Sequence, residues 1–274
     1  MLTGVKRAFG IAALSVFVST ALISCAKSNN DVLVTDIGVN SPNKTSSARP
    51  TQVEKLFIQG QTKQFKGDAK GAINAYTQAI GLNPKFRAAY HNRANARTTA
   101  GDFKNAIADY DQAIKLNPQD SEAYNLRGNA RASSGDKWGA IEDYNQAIRL
   151  KPKNATAYNN RANARRAVGD RRGAIRDYDE AIRLDPSLTL AFNNRGNAYS
   201  DLGDKPKALA DYNEAIRLDN SFAPAYNNRG NILASLGQKQ PAITDLKTAS
   251  RLFEKQKNST LYQQAMVNLK ELQK

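Results

Sequence analysis

Few residues in this sequence are suited to chemistry, and most of them recur at a fixed spacing. The 274 residues include one cysteine, Cys25, and one histidine, His91. One of each cannot build a zinc site with Cys and His ligands, a disulfide framework or more than one imidazole-dependent centre. The sequence has no P-loop or glycine-rich phosphate motif. We therefore predict that the protein is not an enzyme and holds no metal or cofactor.

Asparagine is the most frequent polar residue in the sequence. Three columns step through the chain by 34 residues: His91, Asn125, Asn159, Asn193 and Asn227; Asn95, Asn129, Asn163, Asn197 and Asn231; and Asn92, Asn160, Asn194 and Asn228. The first two columns lie four residues apart, which places them on one face of a helix. Amides both donate and accept hydrogen bonds. They can therefore bind a ligand or tie helix to helix, and the pattern leaves both roles open.

Arginine and aspartate form two further columns with the same step. They are Arg93, Arg127, Arg161, Arg195 and Arg229, and Asp109, Asp143, Asp177, Asp211 and Asp245. The first unit has Gln59 and Ala75 instead, so the two charges are absent together. We predict an ion pair within each unit, because a guanidinium can donate two parallel bonds to a carboxylate. The alternative is a set of solvated charges that only follows the duplication.

The elements that position these columns are helical hairpins. Gly67, Gly101, Gly135, Gly169, Gly203 and Gly237 are 34 residues apart, and five of the six precede an aspartate. In the third unit, Ala140, Tyr144, Ala147 and Ile148 form one apolar stripe of a helix that Pro152 ends. A glycine favours a left-handed turn, and the following aspartate can cap the next helix. Each unit is therefore two helices that must stack on their neighbours.

The columns of aromatic, small, glycine, alanine and proline residues at this period make the sequence resemble the tetratricopeptide repeat family. The resemblance implies an all-α fold, a right-handed superhelical solenoid of six hairpins followed by a capping helix. The predicted repeats and cap are 53–86, 87–120, 121–154, 155–188, 189–222, 223–256 and 257–274.

In that family the first helix of each hairpin lines the concave groove, which places all three asparagine columns at a peptide-binding groove. Asn92, Asn160, Asn194 and Asn228 resemble the asparagine ladder of the O-GlcNAc transferase superhelix. The family's carboxylate clamp is incomplete here, because neighbouring groove positions such as Ala88, Thr156 and Leu190 lack its cations.

The remaining basic residues suggest a second hypothesis. The net charge is +15. Arg97, Arg131 and Arg165 each follow a paired arginine by four residues, and like charges at that spacing cost stability unless an anion relieves them. We expect a solvated basic edge there. The alternative function is a basic surface that binds nucleic acid or another anionic polymer.

The amino terminus predicts export. Lys6 and Arg7 precede an uncharged apolar stretch from 8 to 23, which is typical of a signal peptide. It ends in Leu22-Ile23-Ser24-Cys25, which resembles the bacterial lipobox, so we predict a signal peptide over 1–24 and lipidation of Cys25. An ordinary signal peptide or an uncleaved anchor is the alternative. Residues 25–52 are rich in Ser, Asn and Thr and are predicted to form a flexible tether.

Together these features predict a membrane-tethered scaffold that binds a protein or peptide partner. The lipid anchor would place it in a bacterial cell envelope, with the choice between inner and outer membrane open. Export argues against a nucleic-acid partner, and aromatic residues for base stacking are missing from the groove. Self-association through an end of the solenoid is left open.

Overall fold

The computed structural model describes residues 50–273, and these residues form helices joined by short turns. The all-α prediction is confirmed, since the described part of the chain contains no strand. The thirteen helices between residues 50 and 273 are α1 Gln52–Phe65, α2 Ala69–Leu82, α3 Arg87–Thr99, α4 Phe103–Leu116, α5 Ser121–Ser134, α6 Lys137–Leu150, α7 Ala155–Ala167, α8 Arg171–Leu184, α9 Thr189–Asp201, α10 Lys205–Leu218, α11 Ala223–Ser235, α12 Lys239–Lys255 and α13 Ser259–Gln273.

The turn inside each hairpin follows from its glycine and aspartate. Gly135 has φ of +100°, a left-handed conformation that a residue with a Cβ rarely adopts. The carboxylate of Asp136 then accepts a hydrogen bond from the backbone N–H of Gly139 at 2.9 Å and caps α6. The last hairpin has Gln238 in place of aspartate, and this side chain makes no cap bond.

Tyrosine and alanine fill the space between the two helices of each hairpin. The buried aromatic column on the second helices is Tyr76, Tyr110, Tyr144, Tyr178 and Tyr212, with Leu246 in the sixth hairpin. Small residues on the first helices allow this close approach. A Cβ added to Gly128 would stand 2.7 Å from a ring carbon of Tyr144.

The two ends of the array differ from its middle. Phe57 packs against Tyr76 and Phe86 in the first hairpin, with ring centroids 5.7 and 4.9 Å apart. At the other end α12 runs on to Lys255, past the position where the second helices of the earlier repeats end, and Glu254 stands where the first four repeats have proline. Ala265 and Leu269 of α13 are buried against the sixth hairpin.

Candidate functional site

The first helices form the inner, concave surface of the solenoid. Each first helix, from α1 to α11, packs against the first helix of the next hairpin or against the capping helix α13. Within residues 50–273 no two consecutive second helices pack to that extent. The second helices are therefore splayed apart on the convex side, and a groove runs along the first helices.

Four asparagines of this groove are held by the tyrosine column. The hydroxyl of each tyrosine donates to the Oδ1 of the asparagine 15 residues before it in the sequence. The pairs are Tyr110–Asn95 at 2.5 Å, Tyr144–Asn129 at 2.8 Å, Tyr178–Asn163 at 2.6 Å and Tyr212–Asn197 at 2.8 Å. Sequence reasoning missed this link, since it assigned the tyrosines only to the core.

These bonds fix the orientation of the amides. Burial raises the pKa of the hydroxyls of Tyr144, Tyr178 and Tyr212, so they stay protonated and act as donors. The asparagine oxygen is therefore the bonded atom, and its Nδ2 is left as a donor. No residue between 50 and 273 accepts from Nδ2 of Asn95, Asn129, Asn163 or Asn197.

Asparagines of the third to sixth repeats also bond to asparagines of the neighbouring repeat. Nδ2 of Asn160 donates to Oδ1 of Asn125 and Asn129 at 3.3 and 3.1 Å. The same arrangement links Asn194 to Asn159 at 3.3 Å, and Asn228 to Asn193 and Asn197 at 3.0 Å each. We call this set the amide ladder. It joins the third to sixth repeats, so these asparagines tie helix to helix.

The amide ladder is interrupted at the second repeat. His91 replaces the first asparagine and Leu126 replaces the second, so no amide pair joins the second and third repeats. Nδ1 of His91 is buried without a hydrogen-bond partner among the described residues. Burial lowers its pKa, while the charges of Glu122 and Asp120 oppose that shift. Asn92 makes no side-chain hydrogen bond to any residue in the range 50–273.

The sixth repeat also differs, because the capping helix contacts its groove. Oδ1 of Asn231 accepts from Nδ2 of Asn268 on α13 at 2.9 Å, in place of a tyrosine. Oδ1 of Asn227 is buried with no partner in the described part of the chain. The row of tyrosine-held amides therefore ends at Asn197.

Each predicted arginine–aspartate pair is present, with two parallel bonds. In the fourth repeat, Nε and Nη2 of Arg161 donate to the two oxygens of Asp177 at 2.9 and 2.7 Å. The equivalent pairs are Arg93–Asp109, Arg127–Asp143, Arg195–Asp211 and Arg229–Asp245. All five aspartates are buried. Burial raises the pKa of Asp211, and the bonds from Arg195 offset part of that shift.

The expectation of a solvated basic edge at Arg97, Arg131 and Arg165 is wrong. Nη1 of Arg97 lies 2.6 Å from Asp109, Nη1 of Arg131 lies 3.1 Å from Asp143, and Nη1 of Arg165 lies 2.8 Å from Asp177. Each of these three aspartates thus binds two guanidinium groups. The aspartate that pairs with the first arginine is also the anion that offsets the repulsion between the two arginines.

The arginine that forms two parallel bonds to each aspartate also contacts the preceding hairpin. Its Nη1 donates to a side chain 16 residues earlier, on the convex side: Thr77, Asp111, Asn145, Asp179 and Asn213 for the five repeats in order. The guanidinium also lies over the aromatic ring three residues before it, at 5.3 Å for Arg161 and Tyr158. The sequence contained a signal for this contact, because a polar residue stands 16 positions before each of these arginines, as the aspartate stands 16 positions after it.

The predictions for the amino terminus concern residues that the structure does not describe. The signal peptide, Cys25 and the tether up to residue 49 lie outside the described range. Among residues 50–273, no helix is long and apolar enough to cross a membrane. In the same range, no group of His, Cys, Asp or Glu side chains could hold a metal ion.

Comparison with known proteins identifies the repeat. Models described as tetratricopeptide repeat or TPR repeat match residues 59–108, 91–155, 162–203, 196–237 and 223–256. A comparison with curated protein sequences gives no match.

Several solved structures are similar to the chain. A crystal structure of MamA protein has a TM-score of 0.57 and 25% identity, over 63% of this chain and 94% of that one. A tetratricopeptide repeat protein from Parabacteroides merdae has a TM-score of 0.66 and 24% identity, over 80% of this chain and 86% of that one. YrrB, described as a TPR protein with an unusual peptide-binding site, has a TM-score of 0.52 and 23% identity, over 71% and 99%.

The last two likenesses show the fold alone. The repeat matches indicate a superhelical scaffold of the kind that mediates protein–protein interaction. The chain belongs to the tetratricopeptide repeat family.

Proposed function

We propose that this protein is a membrane-tethered scaffold whose concave groove binds an extended segment of a partner protein. The observation that carries the proposal is the row of Asn95, Asn129, Asn163 and Asn197, whose oxygens are held by tyrosines and whose Nδ2 groups have no acceptor within the described residues. Donors that are already oriented bind at a lower entropic cost than mobile side chains.

The natural acceptors for such donors are the backbone carbonyl groups of an extended chain. Each of the second to fifth repeats supplies one held amide, so a segment that follows the groove there meets one donor per repeat. Backbone carbonyls are common to all sequences, so this part of the binding tolerates many partner side chains. The donors are neutral, and we expect a weak dependence of affinity on salt, unlike the steep dependence of a nucleic-acid binder.

The tether is the second part of the proposal. The Leu22-Ile23-Ser24-Cys25 sequence supports acylation of Cys25 and a location in a bacterial cell envelope. Each buried methylene of an acyl chain contributes about 0.8 kcal/mol, so two or more chains hold a protein at a membrane. Fatty-acid labelling of wild type and Cys25→Ala tests this step, and equal labelling of the two would contradict it.

The groove is tested with substitutions that remove the donor and keep the fold. Asn163→Asp and Asn197→Asp retain the oxygen that accepts from Tyr178 and Tyr212, but they replace Nδ2 by a second carboxylate oxygen that repels a backbone carbonyl. The matched control is Asn213→Asp on the convex side. There the new carboxylate faces Arg229, as Asp179 faces Arg195 in the preceding repeat.

The partner segment is first located by a photo-crosslinking residue at Thr156, a position predicted to lie in the groove. Peptides that span the crosslinked segment are then measured against the full chain by fluorescence anisotropy over a range of salt concentrations. We expect the two groove substitutions together to weaken binding by roughly fivefold or more, at about 0.5–1.5 kcal/mol per lost hydrogen bond. Asn213→Asp should have no effect. Unchanged affinity in the groove variant, or a steep loss of affinity with salt in wild type, would exclude the groove.

A further inference from the structure

The two rims of the solenoid can be told apart by the direction of the helices. Arg93 on α3 bonds to Asp109 on α4. Arg97, one turn further along α3, bonds to the backbone oxygen of Asn105, which lies one turn before Asp109 on α4. The two helices of a hairpin are therefore antiparallel. Every first helix begins, and every second helix ends, at the same rim. We call it the tether rim; it comprises Pro50 and Thr51 together with the turns 83–86, 117–120, 151–154, 185–188 and 219–222, and the last turn of each preceding second helix.

The tether rim of the first three repeats carries a cluster of cations without counter-ions. They are Lys85, Lys115, Arg149, Lys151 and Lys153. All five are exposed, and none forms an ion pair with a carboxylate between residues 50 and 273. The carboxylates of this stretch are Glu54, which accepts from the backbone N–H of Thr51 at 2.7 Å, Asp120, which bonds to Arg87 at 2.6 Å, and Glu122.

The fourth and fifth repeats neutralise the equivalent positions. Arg183 pairs with Glu180 at 2.6 Å, and Arg217 pairs with Glu214 at 2.5 Å. The residues that correspond to these glutamates in the second and third repeats are Gln112 and Gln146, and the turns of repeats four and five carry aspartate where repeat three has Lys151. Along the tether rim the exposed cations without ion pairs thus lie in the first three repeats and again in the sixth, at Arg251 and Lys255, but not in the fourth and fifth. Stabilisation of helix ends by cations does not explain why the second and third repeats lack these glutamates, because every repeat except the first has a cation near the end of its second helix.

Exposed leucines accompany these cations. Leu82 is 57% exposed and Leu116 is 38% exposed, and both lie in the last turn of a second helix at the tether rim. Large apolar side chains beside lysine and arginine suit the interface of a bilayer, where the apolar groups enter between the headgroups and the cations meet the lipid phosphates.

The path of the chain brings a membrane to the same rim. Gln52 begins α1, so Pro50 and Thr51 leave the solenoid at the tether rim, beside the first of the three repeats that carry the cations. The chain from there leads back to Cys25. A bilayer that holds Cys25 is thus connected to the rim where the unpaired cations lie.

We propose that the tether rim of the first three repeats lies against the headgroups of an anionic phospholipid bilayer. This inference rests on the membrane tethering proposed above. Anionic lipid attracts the five cations, the two leucines add apolar contact, and the tether keeps the rim close to the surface. The amino-terminal ends of the first helices then face the membrane.

The test measures which rim faces the bilayer in the full acylated chain. The chain is reconstituted into phosphatidylcholine vesicles with or without phosphatidylglycerol, and part of the lipid carries a nitroxide on its headgroup. A fluorophore is attached to one introduced cysteine of the second repeat, either Gln119→Cys at the tether rim or Ala100→Cys at the opposite rim. Acylated Cys25 does not react with the label, so labelling of the chain without an introduced cysteine reports a failure of acylation separately.

We expect stronger quenching at position 119 than at position 100 when phosphatidylglycerol is present, and a smaller difference at high salt. Changing Lys85, Lys115, Arg149, Lys151 and Lys153 together to Gln should reduce the difference by about threefold or more, since each cation near an anionic surface contributes to attraction. The matched control changes five exposed cations near the opposite rim to Gln: Lys66, Lys70, Lys104, Arg171 and Arg172. It should have no effect.

Equal quenching at the two positions, or the same result with and without phosphatidylglycerol, would overturn the inference while leaving the tether intact. A chain that is labelled at Cys25 and does not stay with the vesicles would refute the tether instead. Release of the rim by an equal phosphate concentration of short DNA would also overturn the inference, because the surface would then prefer nucleic acid.

Discussion

Replacing one arginine by leucine should have very different costs in the fourth and fifth repeats. Asp177 binds two cations, Arg161 and Arg165, whereas Asp211 bonds to Arg195 alone among the described residues, because Tyr199 occupies the position of the second arginine. Both aspartates are buried, at 4% and 5% exposure. Arg195→Leu therefore leaves a buried carboxylate without a cation, while Arg161→Leu leaves Asp177 with Arg165.

Breaking a buried pair by removing one partner costs about 3–5 kcal/mol. We assign that range to Arg195→Leu and about 1–2 kcal/mol to Arg161→Leu, which loses its bonds but strands no charge. Asp177→Ala should cost more than Arg161→Leu, since it leaves two partly buried guanidinium groups. For an array of this size a difference of about 2 kcal/mol corresponds to a difference in Tm of roughly 4–8 °C.

Thermal unfolding followed by circular dichroism measures these costs, and the double variant Arg161→Leu with Asp177→Ala gives the coupling energy. Equal shifts in Tm for Arg161→Leu and Arg195→Leu would refute the argument from unpaired charge. Additive effects in the double variant would show that Arg161 and Asp177 are not energetically coupled.

Three further predictions concern single positions. Burial lowers the pKa of His91 below 6.5, so the unfolded chain binds more protons than the folded chain, and stability should fall as the pH drops below that value. His91→Asn should reduce this dependence of stability on pH, which denaturant titrations from pH 7 to 5 will measure. Gly135→Ala should cost about 1 kcal/mol because φ is +100° and no neighbour obstructs the methyl group, and a loss above that estimate in denaturant unfolding would contradict a purely conformational cause. Tyr178→Phe should cost about 1 kcal/mol and weaken peptide binding through Asn163, whereas unchanged binding would show that the hydroxyl does not orient the amide.

The fold was predictable because each repeat contains its own turn residues and its own apolar helix face. The Gly135-Asp136 turn and the Arg161–Asp177 pair follow from residue types whose geometry leaves few alternatives. The asparagines were harder, because periodicity identifies columns and does not show which columns touch. Asn163 and Asn159 looked equivalent in sequence, yet Asn163 bonds to a tyrosine and Asn159 belongs to the amide ladder.

The second arginine at each aspartate shows the same limit. Arg165 lies four residues after Arg161, and a spacing rule for an isolated helix predicts repulsion between them. In the hairpin the facing helix supplies Asp177 between the two, so the rule fails because the contact is tertiary. The available signal was that each arginine has one acceptor 16 residues before it and another 16 residues after it in the sequence. A single guanidinium can bond to both acceptors.

The arginine that spans two hairpins affects how the array comes apart. A guanidinium such as Arg161 bonds within its own hairpin through Asp177 and to the previous hairpin through Asn145, so unfolding one hairpin also removes a contact with its neighbour. In a one-dimensional array this adds to the cost of a boundary between folded and unfolded repeats and favours concerted melting. The first hairpin has Gln59 and Ala75 in place of that pair. Hydrogen exchange should therefore be fastest there, and we expect fraying of the array to begin at this first hairpin.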